Sequence, residues 1–208
     1  QTTQKLTELN IRLSNEHGFL PGLAMTFLPH GWALAEQGRA EESIAWIHQC
    51  LASIRGLNIK GGLSQRYVVL AYAYGQTGQI AEGLRTLEEG LVFVEETNER
   101  QHEAEMYRLQ GELLLKDESR RKKNELRGDS PEDCFLRAIK IARSQQAKSW
   151  ELRAVMRLCR LWQKQGKLKE ARQMLAEIYN WFTEGFDTGD LQEAKALLEG
   201  LSSAPRGC

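Results

Sequence analysis

The chain has 208 residues, 28 basic and 28 acidic side chains, 41% hydrophobic residues and only four prolines. A formal charge of zero argues against a general nucleic-acid binder or a binder of anionic membranes. Five Trp, six Phe and five Tyr supply too much to bury for a disordered chain, and abundant Leu, Ala, Glu, Gln and Arg with few β-branched residues predict an all-α fold.

In chain order, a first helix is expected at about 3–16, apolar at Leu6, Leu9 and Leu13, as the second helix of a repeat whose partner is missing. Helix pairs follow at about 21–37 and 40–55, 63–77 and 80–96, 102–117 and 131–145, and 149–165 and 168–184. Pro29 lies inside the first of these and is expected to kink or shorten it. A charged insertion at about 118–130, holding Arg120-Arg121-Lys122-Lys123, reads as a solvated loop rather than a basic recognition loop. Ser130 followed by Pro131 marks a helix start, and Asp190 three residues before Glu193 predicts a capping box for a closing helix at about 191–201. The expectation is one domain over 1–201 with a disordered tail at 202–208. The chain begins at Gln1 rather than Met, as expected of a piece of a larger protein.

One frame organises these helices. Tyr67, Leu70-Ala71, Tyr74, Gly78, Gly83, Leu87 and Gly90-Leu91 follow a large, large-small, large pattern on a first helix, then a turn glycine, then small and large residues on a second. The same frame reads Phe27, His30-Gly31, Leu34, Gly38 upstream, Tyr107, Gln110-Gly111, Leu114 downstream, and Val155, Leu158-Cys159, Trp162, Gly166 further on. The small residues Gly31, Ala71, Gly111 and Cys159 would let paired helices approach closely, and Gly38, Gly78 and Gly166 would end first helices in the left-handed conformation. Such a frame has the tetratricopeptide spacing with a period near 40 residues, and the expected fold is an α-solenoid of about four helix pairs with an N-terminal helix and a C-terminal capping helix.

Catalytic chemistry finds little support. Lys60-Gly61-Gly62-Leu63-Ser64 has the glycines of a phosphate loop in the wrong order, and His102-Glu103-Ala104-Glu105 lacks the second His of a zincin helix. His48 is expected to be exposed and His30 half-buried. Cys50, Cys134, Cys159 and Cys208 are scattered without a CxxC pair, so no metal site or cofactor is expected, and the setting is expected to be reducing and cytoplasmic. Asp187 and Asp190 read as capping residues rather than a metal loop. No apolar run approaches the length of a membrane span.

What remains is a concave surface lined by first helices. Its inward positions are Met25, Leu28, Trp32 and Glu36, then Gln65, Val68, Tyr72 and Gln76, then Glu105, Arg108, Glu112 and Lys116, and finally Arg153, Met156, Arg160 and Lys164. The candidate partner-binding residues are Trp32, Glu36, Tyr72, Gln76, Arg108, Glu112, Arg153, Arg157, Arg160 and Lys164. Arg153, Arg157, Arg160 and Lys164 place four cations on one helix face, which demands counter-charges. Glu105 and Glu112 would supply them internally, or an acidic peptide or anionic ligand would supply them from outside. Trp32 and Tyr72 would pack between helices or anchor a partner side chain. Charge is also unevenly divided, with 8 basic and 12 acidic residues in 1–104 against 20 and 16 in 105–208.

His30-Gly31-Trp32-Ala33-Leu34-Ala35, the run from Arg108 to Leu115, the run from Ala147 to Ala154, and Trp181-Phe182-Thr183-Glu184-Gly185-Phe186-Asp187-Thr188 resemble the C-terminal tetratricopeptide region of large bacterial signalling proteins. Those proteins are similar to predicted STAND-type ATPases, often fused to a class III adenylate or guanylate cyclase domain or a kinase domain. The resemblance implies a non-catalytic sensor or scaffold arm that binds a protein or peptide and regulates ATPase and output domains elsewhere in the parent chain. The alternative it allows is a sensing domain that holds a small inducer in the groove.

Overall fold

The computed structural model describes residues 6, 9–10, 12–13, 16–17, 20–54, 63–117 and 129–203, with backbone alone at 20–27, 50–54 and 203. The described residues near the N-terminus are helical at 6, 9–10, 12–13 and 16, and Leu6, Leu9 and Leu13 are exposed there. Most of the expected insertion, 118–128, and residues 204–208 of the expected tail lie outside the described residues.

The chain forms two compact units, Gln1–His102 and Glu103–Cys208, where the period suggests one domain over 1–201. In the first unit, α1 (Leu20–Glu36), α2 (Ala40–Ile54), α3 (Ser64–Gln76) and α4 (Ile80–Thr97) follow one another, closed by a 3-10 turn at Arg100–His102. The second holds α5 (Glu103–Lys116), α6 (Pro131–Ser144), α7 (Lys148–Lys164), α8 (Leu168–Tyr179) and α9 (Gly189–Ser203). Within each unit every helix packs on the next, and first helices also touch each other: α1 with α3, α5 with α7, and α7 with α9. That is the contact pattern of stacked helix pairs.

One turn recurs. The amides of Arg39, Gln79, Ala147 and Lys167 donate to the carbonyls of Leu34, Tyr74, Ala142 and Trp162 at 2.9–3.0 Å, the six-to-one bond that closes a helix C-terminus. The residue just before each donor has positive φ: Gly38 (78°), Gly78 (77°), Gln146 (56°) and Gly166 (79°). Three of the four use glycine, as the frame predicts, and Gln146 performs the same turn against its preference.

The small residues set helix spacing. A Cβ at Gly111 would lie 2.6 Å from Phe135 Cε1, and one at Gly31 would lie 3.1 Å from Ile47 Cγ1. Across the α1–α2 contact the Ser43 hydroxyl donates to the Gly31 carbonyl at 2.7 Å, and across α7–α8 the Cys159 thiol meets the Ala171 carbonyl at 3.1 Å. In the first unit Ile47, Val69 and Leu70 pack with half-buried Leu28, Trp32, Ile44 and Tyr74. The second has a larger core around Phe135, Leu152, Val155, Leu158, Leu175 and Leu191. Each such side chain contributes about 1.5–3 kcal/mol of transfer free energy.

Several boundaries differ from expectation. α1 runs through Pro29, whose ring is exposed, rather than stopping there. α8 ends at Tyr179 rather than 184, because the amides of Trp181 and Phe182 turn back to Ile178 and Tyr179 and the chain swings through Gly185 at φ 76°. α9 starts at Gly189 and includes Ser202 and Ser203, which the sequence reading assigns to the tail. Asp190 therefore sits inside its first turn and reaches across to Arg153 instead of capping. Ser130 does cap α6: its hydroxyl accepts from the Asp133 amide while the Asp133 carboxylate accepts from the Ser130 amide, with Pro131 next in line.

Candidate functional site

The inner face of the first unit is built by α1 and α3. Trp32 and Tyr72 are half-buried, and their rings stack with centroids 4.7 Å apart and planes 14° from parallel. The Tyr72 hydroxyl donates to Glu36 Oε1 at 2.7 Å, so ring and carboxylate hold each other across 36 residues of sequence. Glu36 and Gln76, one helical turn beyond the rings, are exposed. Trp32, Glu36 and Tyr72, singled out by period alone, thus meet where α1 packs on α3, with Gln76 one turn further along α3. The rings are also partly structural, since Trp32 packs on the Ile47, Val69 and Leu70 cluster and Tyr72 on Ala35, Ala40 and Ala73.

The charged positions of the second unit are used internally. Arg108 is buried, its Nε and Nη2 donate to Glu105 Oε2 at 3.0 and 2.7 Å, and its Nη1 donates to Glu112 Oε1 at 2.6 Å. Burial alone would lower its affinity for the proton, but Glu105 and Glu112 outweigh that and hold the guanidinium more firmly charged than in water. So buried and doubly paired a guanidinium fits a structural role better than the expected partner contact in the groove. Glu112 also accepts from Arg157 Nε at 2.5 Å. Arg153 Nε meets Asp190 at 2.7 Å and Arg160 Nη1 meets Glu193 at 2.6 Å, with Arg157 Nη1 at 3.4 Å from the same carboxylate. Lys164 is exposed and makes no ion pair among the described residues.

The counter-charges for three of the four cations on that face, Arg153, Arg157 and Arg160, therefore come from α5 and, unexpectedly, from α9. The sequence reading offers Glu105 and Glu112; Glu112 does contact Arg157, while Glu105 serves Arg108. Asp190 and Glu193 were missed as partners because they read as a capping box. The signal that finds them is the frame itself, since α9 occupies the place of a further first helix beside α7.

Other sequence-flagged groups have structural roles. His30 is half-buried and meets Trp46 edge-on at 4.8 Å, and His48 is exposed with Nε2 3.1 Å from the Tyr74 hydroxyl. Cys159 is buried and its thiol is pushed up to about 12 by that burial, which leaves it unreactive. The start of α3 is closed by Glu99, which accepts from the Ser64 amide at 2.7 Å, while the buried Ser64 hydroxyl lies 2.9 Å from His102 Nδ1. At the α6–α7 contact Trp162 Nε1 donates to Glu132 at 2.7 Å, which with Lys167 and Gln165 holds that carboxyl below its usual range. No described helix is long and apolar enough to cross a membrane.

Residues 65–89 and 152–177 match the tetratricopeptide repeat family, and these spans fall on α3–α4 and α7–α8. No curated protein matches the chain. Among solved structures it is similar to the nearly identical TPR-like repeats of a Podosopora anserina protein described as a kinesin light chain. TM-score there is 0.57 at 16% identity, over 86% of this chain and 93% of that one. A single-substitution variant of the same repeats gives 0.57 at 15%, over 86% and 92%. At such identity the likeness concerns the fold. The chain is thus an all-α helical-repeat protein, with α3–α4 and α7–α8 as the helix pairs that match the tetratricopeptide repeat family.

Proposed function

We propose that the chain is a non-catalytic protein-interaction module that holds a peptide segment of its partner on the inner face of its first helices. Tetratricopeptide repeats generally mediate protein–protein contacts, which supports the class. The observation that carries the site is the half-buried Trp32–Tyr72 stack: two rigid aromatic rings, one of them held by Glu36 and both left partly open to solvent, are the type of anchor that dominates interface energetics. Gln76 adds an exposed polar group one turn beyond Tyr72 on α3.

An acidic partner gripped by the arginine row fits less well, because Arg153, Arg157 and Arg160 already hold Asp190, Glu112 and Glu193. The resemblance of the Trp181–Thr188 motif and its companions further supports a role as the sensor or scaffold arm of a larger ATPase- or cyclase-bearing signalling protein in the cytoplasm. Selection of random linear peptides on the full chain tests the reading. Peptides that bind, and that weaken by tenfold or more with Trp32→Ala, are expected; failure to recover any binding peptide contradicts it.

A further inference from the structure

We propose that the first unit's inner face receives an arginine side chain of the partner peptide, with Glu36 taking the guanidinium and the Trp32–Tyr72 rings supporting its stem. This rests on the peptide-binding reading and adds the chemistry of the occupant. Glu36 is exposed, and the Tyr72 hydroxyl holds its Oε1 at 2.7 Å while no cation pairs with it among the described residues. Arg39, three residues on, is forked onto Glu42 through Nε and Nη2 at 2.8 and 2.6 Å. Glu36 is also the one charged residue at the eight inner positions of α1 and α3, and residues 1–102 carry eight basic against eleven acidic side chains.

A partner laid over the aromatic pair therefore covers a carboxylate whose orientation is already set. Covering it with apolar or anionic groups strips its water without compensation, whereas a cation restores the lost interaction. Arginine suits the place better than lysine. Its planar guanidinium lies against aromatic rings and presents paired donors to a carboxylate, while the hydrophobic stem covers ring edges. The arginine row of the second unit does not compete for this role, because it is matched by its own carboxylates.

The test uses peptides selected on the full chain, resynthesised with each arginine replaced by neutral citrulline, and titrated by fluorescence anisotropy against wild type and Glu36→Gln. Selected sequences are expected to share an arginine, and citrulline is expected to weaken binding about tenfold to wild type. With Glu36→Gln that penalty is expected to shrink to within about twofold, the coupling expected of two groups in direct contact. Thermal melting verifies that Glu36→Gln folds, and Tyr72→Phe, which frees Glu36 but keeps both rings, is expected to reduce the arginine preference part-way. Binding peptides without arginine, or a citrulline penalty equal in wild type and Glu36→Gln, overturn the assignment while leaving peptide binding intact. Recovery of no peptide at all overturns both.

Discussion

Gly111 shows how a missing side chain fixes the distance between helices. Phe135 is fully buried and its ring occupies the place where a Cβ would stand, so neither can retreat without opening the core. Gly111→Ala is expected to lower stability by about 1–2 kcal/mol in denaturant melts, overpacking outweighing the helix-propensity gain. Gly200, inside α9 with nothing within 4 Å of a new Cβ, is expected to behave oppositely, Gly200→Ala adding up to about 1 kcal/mol. Arg108→Ala is expected to cost about 3–5 kcal/mol, because it strands the Glu105 carboxylate inside the second unit. The small residues were legible from spacing alone, since a period exposes which positions cannot grow. The burial of Arg108 was not, because a charged side chain at an inward position reads equally as a ligand contact or as a paired core residue.

At the scale of elements, the turns and the α6–α7 contact carry the most readable physics. Gln146 adopts the left-handed conformation that glycine takes at the three equivalent turns, so Gln146→Gly is expected to raise stability by about 0.5–1 kcal/mol. Frame arithmetic misses this turn because its signal residue is absent. Glu132 is held below its ordinary carboxyl value of 4.5, first by Trp162 Nε1 and then by Lys167 and Gln165. A depressed folded-state value stabilises above the unfolded pKa and loses that contribution as pH falls through the folded one. Glu132→Ala is therefore expected to cost about 1 kcal/mol near neutral pH, the difference from wild type narrowing below about pH 4 in pH-resolved melts. The row of cations on α7 was legible as a spacing, but its partners were not. Periodicity gives the face a residue occupies and leaves open which helix comes to lie beside it, and here α9 supplies Asp190 and Glu193.

For the whole molecule, the 28 basic and 28 acidic residues cancel to a formal charge of zero, and among the described residues the pairs Arg143–Glu151, Arg153–Asp190, Arg157–Glu112 and Arg160–Glu193 tie part of that charge together. Helix order and helix pairing followed from one 40-residue frame, whereas the division into units at His102 and Glu103 left no mark in that frame. Trp32 is the proposed anchor for the partner, and the five tryptophans, Trp32, Trp46, Trp150, Trp162 and Trp181, provide five reporters. Titration of the full chain with a selected peptide, followed through the indole N–H signals in nitrogen-15 correlated NMR spectra, is predicted to shift or broaden the Trp32 signal while Trp162 and Trp181 stay in place. Saturable binding that moves Trp162 or Trp181 and leaves Trp32 untouched would contradict it.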